Sequence, residues 1–154
     1  MLYVYASSVN MKAASRPVVP CLCASLRRTT RSLTHLYEEA LRPLGLRSSQ
    51  FTILQVLSLA GEMTQGELGR MLAMDSTTLT RTLEIMSRHK WIARRSGEDR
   101  REWRVRFSHT GKAQLEAALP HWEKVQARLR QQLGGRQWDQ LMKLTNDVTS
   151  AVTE

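Results

Sequence analysis

The stretch that decides the fold runs from Thr64 to Phe107 and contains four segments, TQGEL (64–68), DSTTLTR (75–81), DRR (99–101) and VRF (105–107). Thr64 and Glu67 have the spacing of a capping box, in which each side chain accepts a hydrogen bond from the other residue's backbone N–H. Asp75 is a good N-cap for a second helix, because its carboxylate also suits the positive end of the helix dipole. We therefore predict two short helices joined by a tight turn at Ala73-Met74.

The second predicted helix is amphipathic. Leu79, Leu83 and Met86 recur at i, i+4 and i+7, and this spacing predicts an inner apolar face. The opposite face carries polar residues, namely Ser76, Thr77, Thr80, Arg81, Glu84 and Arg88. Small hydroxyls allow close approach to base edges, and an arginine can bind guanine through two hydrogen bonds, so this face suits a helix that reads the major groove of DNA. An ordinary solvated helix face is the alternative, and it is the simpler interpretation of this helix taken alone.

A strongly basic β-hairpin follows the second helix. Ile92–Arg95 and Trp103–Phe107 alternate between apolar and polar residues, and Gly97 lies in the polar tip between them. From Arg88 to Arg106 there are eight Lys or Arg residues and three acids, a local charge of 8 − 3 = +5. The narrow minor groove of DNA attracts arginine through its negative potential. A basic hairpin directly after the helix therefore favours DNA reading over an ordinary solvated face.

The order of these elements resembles the MarR family of transcription regulators. The stretches that carry the resemblance are Gly45-Leu46 with Gln50-Phe51, Thr64 with Glu67-Leu68, Asp75 with Leu79-Thr80-Arg81, Asp99-Arg100-Arg101, and Val105 to Gly111. Each motif is weak alone, but five in the right order at the right separations are specific, and the likeness extends from about Cys21 to the C-terminus. It implies a mostly α (α+β) fold, a winged helix-turn-helix with N- and C-terminal helices forming a dimerisation region. It also implies that Glu62-Met63-Thr64 adds a third strand to the hairpin.

The resemblance further implies roles for single residues. Arg81 matches the family's recognition-helix arginine, Arg101 its wing-tip arginine, and Asp99 the aspartate that steadies the wing. Other basic residues near these elements are candidates for neutralising phosphates. The resulting candidate DNA contacts are Ser76, Thr77, Thr80 and Arg81 in the major groove, Arg100 and Arg101 in the minor groove, and Arg88, Arg94 and Arg104 at phosphates.

Three positions depart from the family pattern. Arg47 stands where a threonine cap is usual, so we expect Ser48 or Ser49 to cap that helix instead. Lys90 stands where a glycine usually ends the recognition helix, and a lysine in a left-handed conformation there costs about 1 kcal/mol. Phe107-Ser108 replaces the usual Leu-Thr, which is a mild change.

The composition narrows the class of protein. A chain of 154 residues suits one domain with a real core, and its net charge of +9 indicates a polyanionic partner, nucleic acid before membrane. No apolar run approaches the ~20 residues of a membrane span. The four histidines are scattered, and the sequence contains no zinc-ligand spacing, Gly-rich phosphate loop, nucleophile elbow or carboxylate pair. We therefore expect no enzymatic activity, no cofactor and no metal.

Cys21 and Cys23 are the two cysteines of the chain, too few for a disulfide framework and consistent with a reducing cytoplasm, where we expect the protein. On a helix, residues at i and i+2 point about 200° apart, so the two thiols cannot hold one metal together. A cysteine in a first helical turn can be reactive, and one branch of the family senses organic hydroperoxides near the start of this helix. A small buried apolar residue is the alternative for Cys23.

The helices around the central stretch predict an assembly of two chains. We expect a disordered arm (1–16), a dimerisation helix (17–44), the winged helix-turn-helix (45–110) and C-terminal dimerisation helices (111–154), all in one domain. The last helix carries an apolar stripe, Trp138, Leu141, Leu144, Val148 and Val152. Together with the first helix this leaves more apolar surface than one protomer hides easily, so we expect a homodimer. Closure of a monomer core by the same helices is the alternative.

The resemblance implies that a small, often aromatic acid alters the distance between the DNA-binding parts of the two protomers. Tyr37, Phe51 and Trp122 are candidates for the wall of this pocket, with plain core positions as the alternative. We therefore expect a homodimeric, sequence-specific repressor that binds pseudo-palindromic operators and is released by a small-molecule effector. Two alternatives remain, a thiol-based sensor of peroxide that uses Cys21 or Cys23, and a nonspecific basic architectural DNA-binding protein.

Overall fold

The structure, a computed structural model, describes residues 21–97 and 102–153. Its elements in chain order are α1 (Leu22–Leu41), a 3-10 turn (Arg42–Leu44), α2 (Ser48–Ala60), β1 (Met63–Thr64), α3 (Gln65–Leu72), α4 (Ser76–Arg88), β2 (Ile92–Ser96), β3 (Trp103–Phe107), α5 (His109–Leu133) and α6 (Gly135–Thr153). The predicted arm (1–16) and the predicted wing residues Asp99, Arg100 and Arg101 lie outside the described residues. The chain divides into two compact units, one ending at Leu36 and one beginning at Tyr37.

The three strands form one small antiparallel sheet in the order β1-β3-β2. Met63 of β1 pairs with Val105 of β3. On the other side of β3, Phe107 pairs with Ile92 of β2. A mostly helical chain with this sheet confirms the predicted winged helix-turn-helix, including the third strand after Glu62.

The inner face of α4 lies in the apolar core. Leu79, Leu83 and Met86 are each at most 1% exposed. The core residues around them include Leu54 and Leu57 of α2, Leu68 of α3 and Val105 of β3. Burial of one side chain of this size stabilises a fold by roughly 1.5–3 kcal/mol, so a rotation of α4 that exposed all three would cost several kcal/mol. The polar face of α4 is therefore the face that remains free.

The two caps predicted in the central stretch are present. The Thr64 hydroxyl accepts a hydrogen bond from the Glu67 N–H at 3.1 Å, and the Glu67 carboxylate accepts one from the Thr64 N–H at 2.8 Å. Asp75 Oδ1 accepts a hydrogen bond from the Thr78 N–H at 2.9 Å. The backbone bond from Thr64 lowers the pKa of Glu67, and the bonds from Thr78 lower the pKa of Asp75. Both capping carboxylates are consequently charged at neutral pH.

The cap of α2 differs from the prediction. Neither Ser48 nor Ser49 caps this helix, because Glu38 Oε1 accepts hydrogen bonds from both the N–H and the hydroxyl of Ser48, each at 2.9 Å. Glu38 Oε2 also accepts from Arg47 Nη1 at 2.9 Å. Partial burial works to raise the pKa of Glu38, but the hydrogen bonds from Arg47 and Ser48 outweigh it and lower the pKa. Arg47 is the N-cap residue, and its N–H donates to Gln50 Oε1 at 2.9 Å. Glu38 of α1 takes the N–H of Ser48 that a serine cap would not reach.

The end of α4 has the left-handed conformation that the family's usual glycine suggests. Lys90 has φ = 59°. The Lys90 N–H donates to the Ser87 carbonyl at 2.9 Å, and the Trp91 N–H donates to the Met86 carbonyl at 3.0 Å. These two bonds form a Schellman motif, which closes the helix and aims the chain into β2. A residue with a Cβ is strained at this position.

α5 begins at His109, two residues before the predicted start at Gly111, because Ser108 caps it. The Ser108 hydroxyl accepts from the Gly111 N–H at 2.9 Å and donates to the Lys90 carbonyl at 2.6 Å. A Cβ on Gly111 would lie 2.0 Å from the Trp91 carbonyl oxygen, so this contact requires glycine. The capping serine therefore holds the start of α5 against the end of α4.

In residues 21–97 and 102–153, no helix has both the length and the apolar character that crossing a membrane requires.

Replacing Lys90 with glycine should stabilise the fold. We expect Lys90→Gly to raise the free energy of unfolding in urea by about 0.5–1 kcal/mol, because glycine adopts the left-handed conformation without strain. Lys90→Ala is the matched control: it removes the same charge but keeps the Cβ, so its effect should stay within about 0.5 kcal/mol of zero. A glycine variant no more stable than the alanine variant would contradict strain at this position.

Candidate nucleic-acid interface

The free face of α4 carries the predicted major-groove residues. Ser76, Thr77 and Arg81 are exposed, and Thr80 is half-buried. Asp75 caps the first turn of α4 by accepting from the Thr78 N–H, so the hydroxyl-bearing turn of the helix starts at a capped end. The structure thus brings these four predicted residues together on one side of one helix, as the spacing predicts. Their contact with DNA stays a prediction.

Gln65, which the sequence analysis did not single out, connects this face to the wing. Its Nε2 donates to the Thr80 hydroxyl oxygen at 2.7 Å, and its Oε1 accepts from Arg94 Nη2 at 3.2 Å. The Arg94 guanidinium also lies over the ring of Trp103, 5.0 Å from its centroid. The partners lie 15 and 29 residues from Gln65, so no local pattern signals the connection.

A second connection holds the base of the wing. Glu62, just before β1, accepts from Arg95 Nε at 3.1 Å and from Arg104 Nε at 3.0 Å. Arg104 also donates to Glu102 at 3.2 Å. The hydrogen bond from Arg95, together with the bond from Arg104, lowers the pKa of Glu62. The carboxylate therefore remains charged and ties β2 and β3 to the start of β1.

These contacts change the interpretation of the predicted phosphate contacts. Arg104 is held by two carboxylates, and Arg94 is held by Gln65 and by Trp103. Neither side chain extends freely into solvent, so both first join the strands and helices of the winged helix-turn-helix. Of the three arginines predicted at phosphates, Arg88 alone is exposed. The adjacent basic residues Arg70 and Arg106, which were not predicted as contacts, are also exposed.

A groove of 760 Å³ lies between the two short helices and the wing. Its walls include Gly66 and Arg70 of α3, Ser76 of α4 and Trp103 of β3. The groove thus adjoins both the recognition face of α4 and the wing. Among the described residues that line it, Arg70 is the one basic and Glu102 the one acidic side chain.

Two of the three predicted effector residues, Phe51 and Trp122, lie in or against the core. Phe51 is 2% exposed, and its ring centroid lies 5.9 Å from that of Trp122. Trp122 is half-buried, and so is Tyr37, whose pKa is raised by burial. Phe51 and Trp122 therefore stabilise the junction of α2 and α5.

Both cysteines are exposed at the start of α1. Cys21 directly precedes the helix, and Cys23 lies in its first turn. The interpretation of Cys23 as a buried apolar residue is therefore wrong for the described chain. Arg27 Nη2 lies 3.5 Å from Cys23 Sγ, which places a positive charge beside the thiol. Within the described ranges, no group of three or more His, Cys, Asp or Glu side chains is arranged to hold a metal ion.

Comparison with known proteins identifies the MarR family. The profile of the MarR family matches residues 44–102. An uncharacterised HTH-type transcriptional regulator of Bacillus subtilis, YwoH, is 37% identical over 81 residues, which are 53% of this chain and 59% of that protein. The match therefore spans less than two thirds of that relative's length.

Solved structures extend the similarity over most of the chain. The transcriptional regulator MosR of M. tuberculosis, in complex with DNA, has a TM-score of 0.73 and 35% identity, covering 85% of this chain and 98% of that one. A mutant of MarR from E. coli complexed with operator DNA has a TM-score of 0.74 and 25% identity, covering 82% of this chain and 92% of that one. This chain belongs to the MarR family of transcription regulators and has a winged helix-turn-helix fold.

Proposed function

We propose that this protein is a homodimeric, sequence-specific DNA-binding repressor. The observation that carries the proposal is the free face of α4, where Ser76, Thr77 and Arg81 are exposed while Leu79 and Leu83 fix the opposite face in the core. Helices of this kind place their N-terminal residues against base edges in the major groove. The DNA complexes of MosR and of the E. coli MarR mutant support this assignment.

The proposed contacts divide between base reading and electrostatic attraction. Arg81 would bind a guanine edge, and the hydroxyls of Ser76 and Thr77 would approach neighbouring bases. Arg100 and Arg101 would enter the minor groove, supported by Asp99; this part of the proposal rests on the sequence, because these residues lie outside the described ranges. Exposed basic residues would neutralise phosphates, and the candidates are Arg70, Arg88 and Arg106.

Dimerisation is proposed from the apolar surface of α6. Leu141 is 39% exposed, Leu144 is 50% exposed and Val152 is 77% exposed, and all three belong to the stripe predicted from the sequence. A row of exposed apolar residues along one helix is typical of a surface that another chain covers. A twofold dimer would place two copies of α4 in successive major grooves, about 34 Å apart on a pseudo-palindromic site.

Release by a small aromatic acid is proposed for the junction of α2 and α5. Trp122 and Tyr37 are half-buried, so each keeps part of its aromatic ring open to a planar ligand, and the buried ring of Phe51 packs behind Trp122. A ligand that binds more tightly at one spacing of the two DNA-binding parts would shift the dimer towards that spacing. Hydroxybenzoates should raise the melting temperature of the wild type, and Trp122→Ala should abolish the rise. The absence of a rise with every compound would remove the proposal.

Replacing Arg81 tests the base-reading assignment. On duplexes that the wild type selects from a random library, Arg81→Ala should weaken binding by about 1–3 kcal/mol and relax specificity. Affinity for a scrambled duplex should change much less, because most of the attraction between basic side chains and DNA phosphates is retained. The matched control is Arg42→Ala, which removes one exposed arginine of the 3-10 turn, where it pairs with Glu39.

Three outcomes of these gel-shift titrations differ in meaning. The assignment is supported if Arg81→Ala lowers the affinity for the selected duplex and Arg42→Ala changes it little. Unchanged affinity of Arg81→Ala for the selected duplex removes it. Equal wild-type affinity for selected and scrambled duplexes, with a steep dependence on salt, would instead identify an architectural DNA-binding protein.

A thiol-based sensor is the second candidate, favoured by the exposed Cys23 with Arg27 beside it. Peroxides oxidise exposed cysteines to sulfenic acid, and the Arg27 guanidinium lies next to the Cys23 sulfur. Peroxide should then release the wild type from selected duplex, while Cys23→Ser or Cys21→Ser should remain bound. If the double serine variant is released as readily as the wild type, the cysteines are not the sensor.

A further inference from the structure

Gln65 lies where three elements of the winged helix-turn-helix meet, namely α3, α4 and β2. It is the first residue of α3, its amide nitrogen donates to Thr80 of α4 at 2.7 Å, and its carbonyl accepts from Arg94 of β2 at 3.2 Å. Thr80 directly precedes Arg81, and β2 leads to the tip of the wing. One amide therefore joins the recognition helix to the wing, the two elements that the proposed function brings to DNA.

The chemistry of the partners fixes the direction of both hydrogen bonds. A guanidinium has no acceptor, so the carbonyl oxygen of Gln65 must face Arg94, and the NH₂ group must face Thr80. The Thr80 oxygen is consequently an acceptor in this contact, and its own proton remains to be donated elsewhere. The bonds form a chain in which Arg94 donates to Gln65 and Gln65 donates to Thr80.

The surroundings of Arg94 strengthen this chain. The guanidinium lies over Trp103, and its Nε is buried without a hydrogen-bond partner among the described residues. A half-buried cation polarises the amide that accepts from it, and chains of hydrogen bonds reinforce one another. The charge of Arg94 therefore acts on Thr80 through Gln65, although the sequence suggested that Arg94 contacts phosphate directly.

We propose that Gln65 is a positioning residue for specificity, which presents Thr80 to the duplex as a hydrogen-bond donor and fixes α4 against the wing. The matching group on DNA is an acceptor in the major groove, such as guanine O6 or N7 or thymine O4. This inference rests on the proposed function, because it concerns how the same face discriminates between sequences.

Two substitutions of Gln65 separate this role from a purely structural one. Gln65→Met keeps the length of the side chain and removes both hydrogen bonds. Gln65→Glu keeps an acceptor for Arg94, but its carboxylate can only accept from Thr80, so the hydroxyl proton is turned away from DNA. A bridge that matters only for the fold survives in the glutamate variant, whereas the donor at Thr80 is lost.

The experiment measures the ratio of affinities for a selected duplex and a scrambled duplex of the same composition, at one salt concentration. Using the ratio cancels the general repulsion between the added carboxylate and DNA. We expect Gln65→Met, Gln65→Glu and Thr80→Val each to lower the ratio about 3- to 10-fold, the range for one hydrogen bond of ordinary net strength. Combining Gln65→Met with Thr80→Val should lower it no further, because both remove the same interaction.

Two controls accompany these variants. Thr82→Val removes a hydroxyl from the same helix whose bond, to the Thr78 carbonyl at 2.8 Å, stays within α4, so the ratio should not change. Unfolding in urea should show Gln65→Glu to be at least as stable as Gln65→Met, because the glutamate still accepts from Arg94.

The outcomes separate this inference from the proposed function. A wild-type preference for the selected duplex that Gln65→Glu retains in full overturns the inference alone and leaves Gln65 as a structural bridge. An unchanged ratio in Gln65→Met overturns it as well. Equal wild-type affinity for the two duplexes overturns the proposed function, and the inference with it.

Discussion

The packing of the inner face of α4 is the constraint on which the rest of the winged helix-turn-helix depends. Leu79, Leu83 and Met86 are almost fully excluded from solvent, among core residues that come from α2, α3 and β3. Since their burial is worth several kcal/mol, the rotation of α4 about its own axis has one stable setting. That setting determines which side chains face outward, and it allows a few hydroxyls and one arginine to act as a fixed recognition surface.

Polar ties between elements then set the position of the wing relative to this helix. Glu62 joins β2 and β3 through two arginines, and Gln65 joins β2 to α4. Several basic residues of the hairpin therefore have internal partners, and the local charge of +5 overstates how many cations are free to meet phosphates. The basic character of the wing serves two purposes: some arginines hold the strands together, and the exposed ones remain for a polyanionic partner.

The features that the sequence predicted correctly depend on residues close together in the chain. The capping box of Thr64 and Glu67, the cap at Asp75 and the apolar face of α4 involve separations of three or four residues, within reach of helical periodicity. The left-handed site at Lys90 was recognisable because glycine usually occupies it in the resembled family. The start of α5 was misplaced by two residues, although Ser108 belongs to a residue type that commonly caps helices.

The features that could not be predicted depend on contacts between distant parts of the chain. Glu38 displaces the expected serine cap of α2 because the end of α1 brings a carboxylate to the Ser48 amide. Arg104 donates to Glu62 across the β1–β3 pairing, 42 residues away. Gln65, at the start of α3, bonds to residues of α4 and β2. Such partners follow from strand register and helix packing, which composition and local spacing do not specify.

The claim that two copies of α4 read the major groove at the pitch of the duplex is tested most directly by methylation interference at guanine N7 on a duplex selected by the wild-type protein. The account predicts interference in two half-sites related by inverted symmetry, with centres about 10 base pairs apart, which is one turn of DNA. Interference confined to a single half-site, or spread evenly along the duplex, would contradict it.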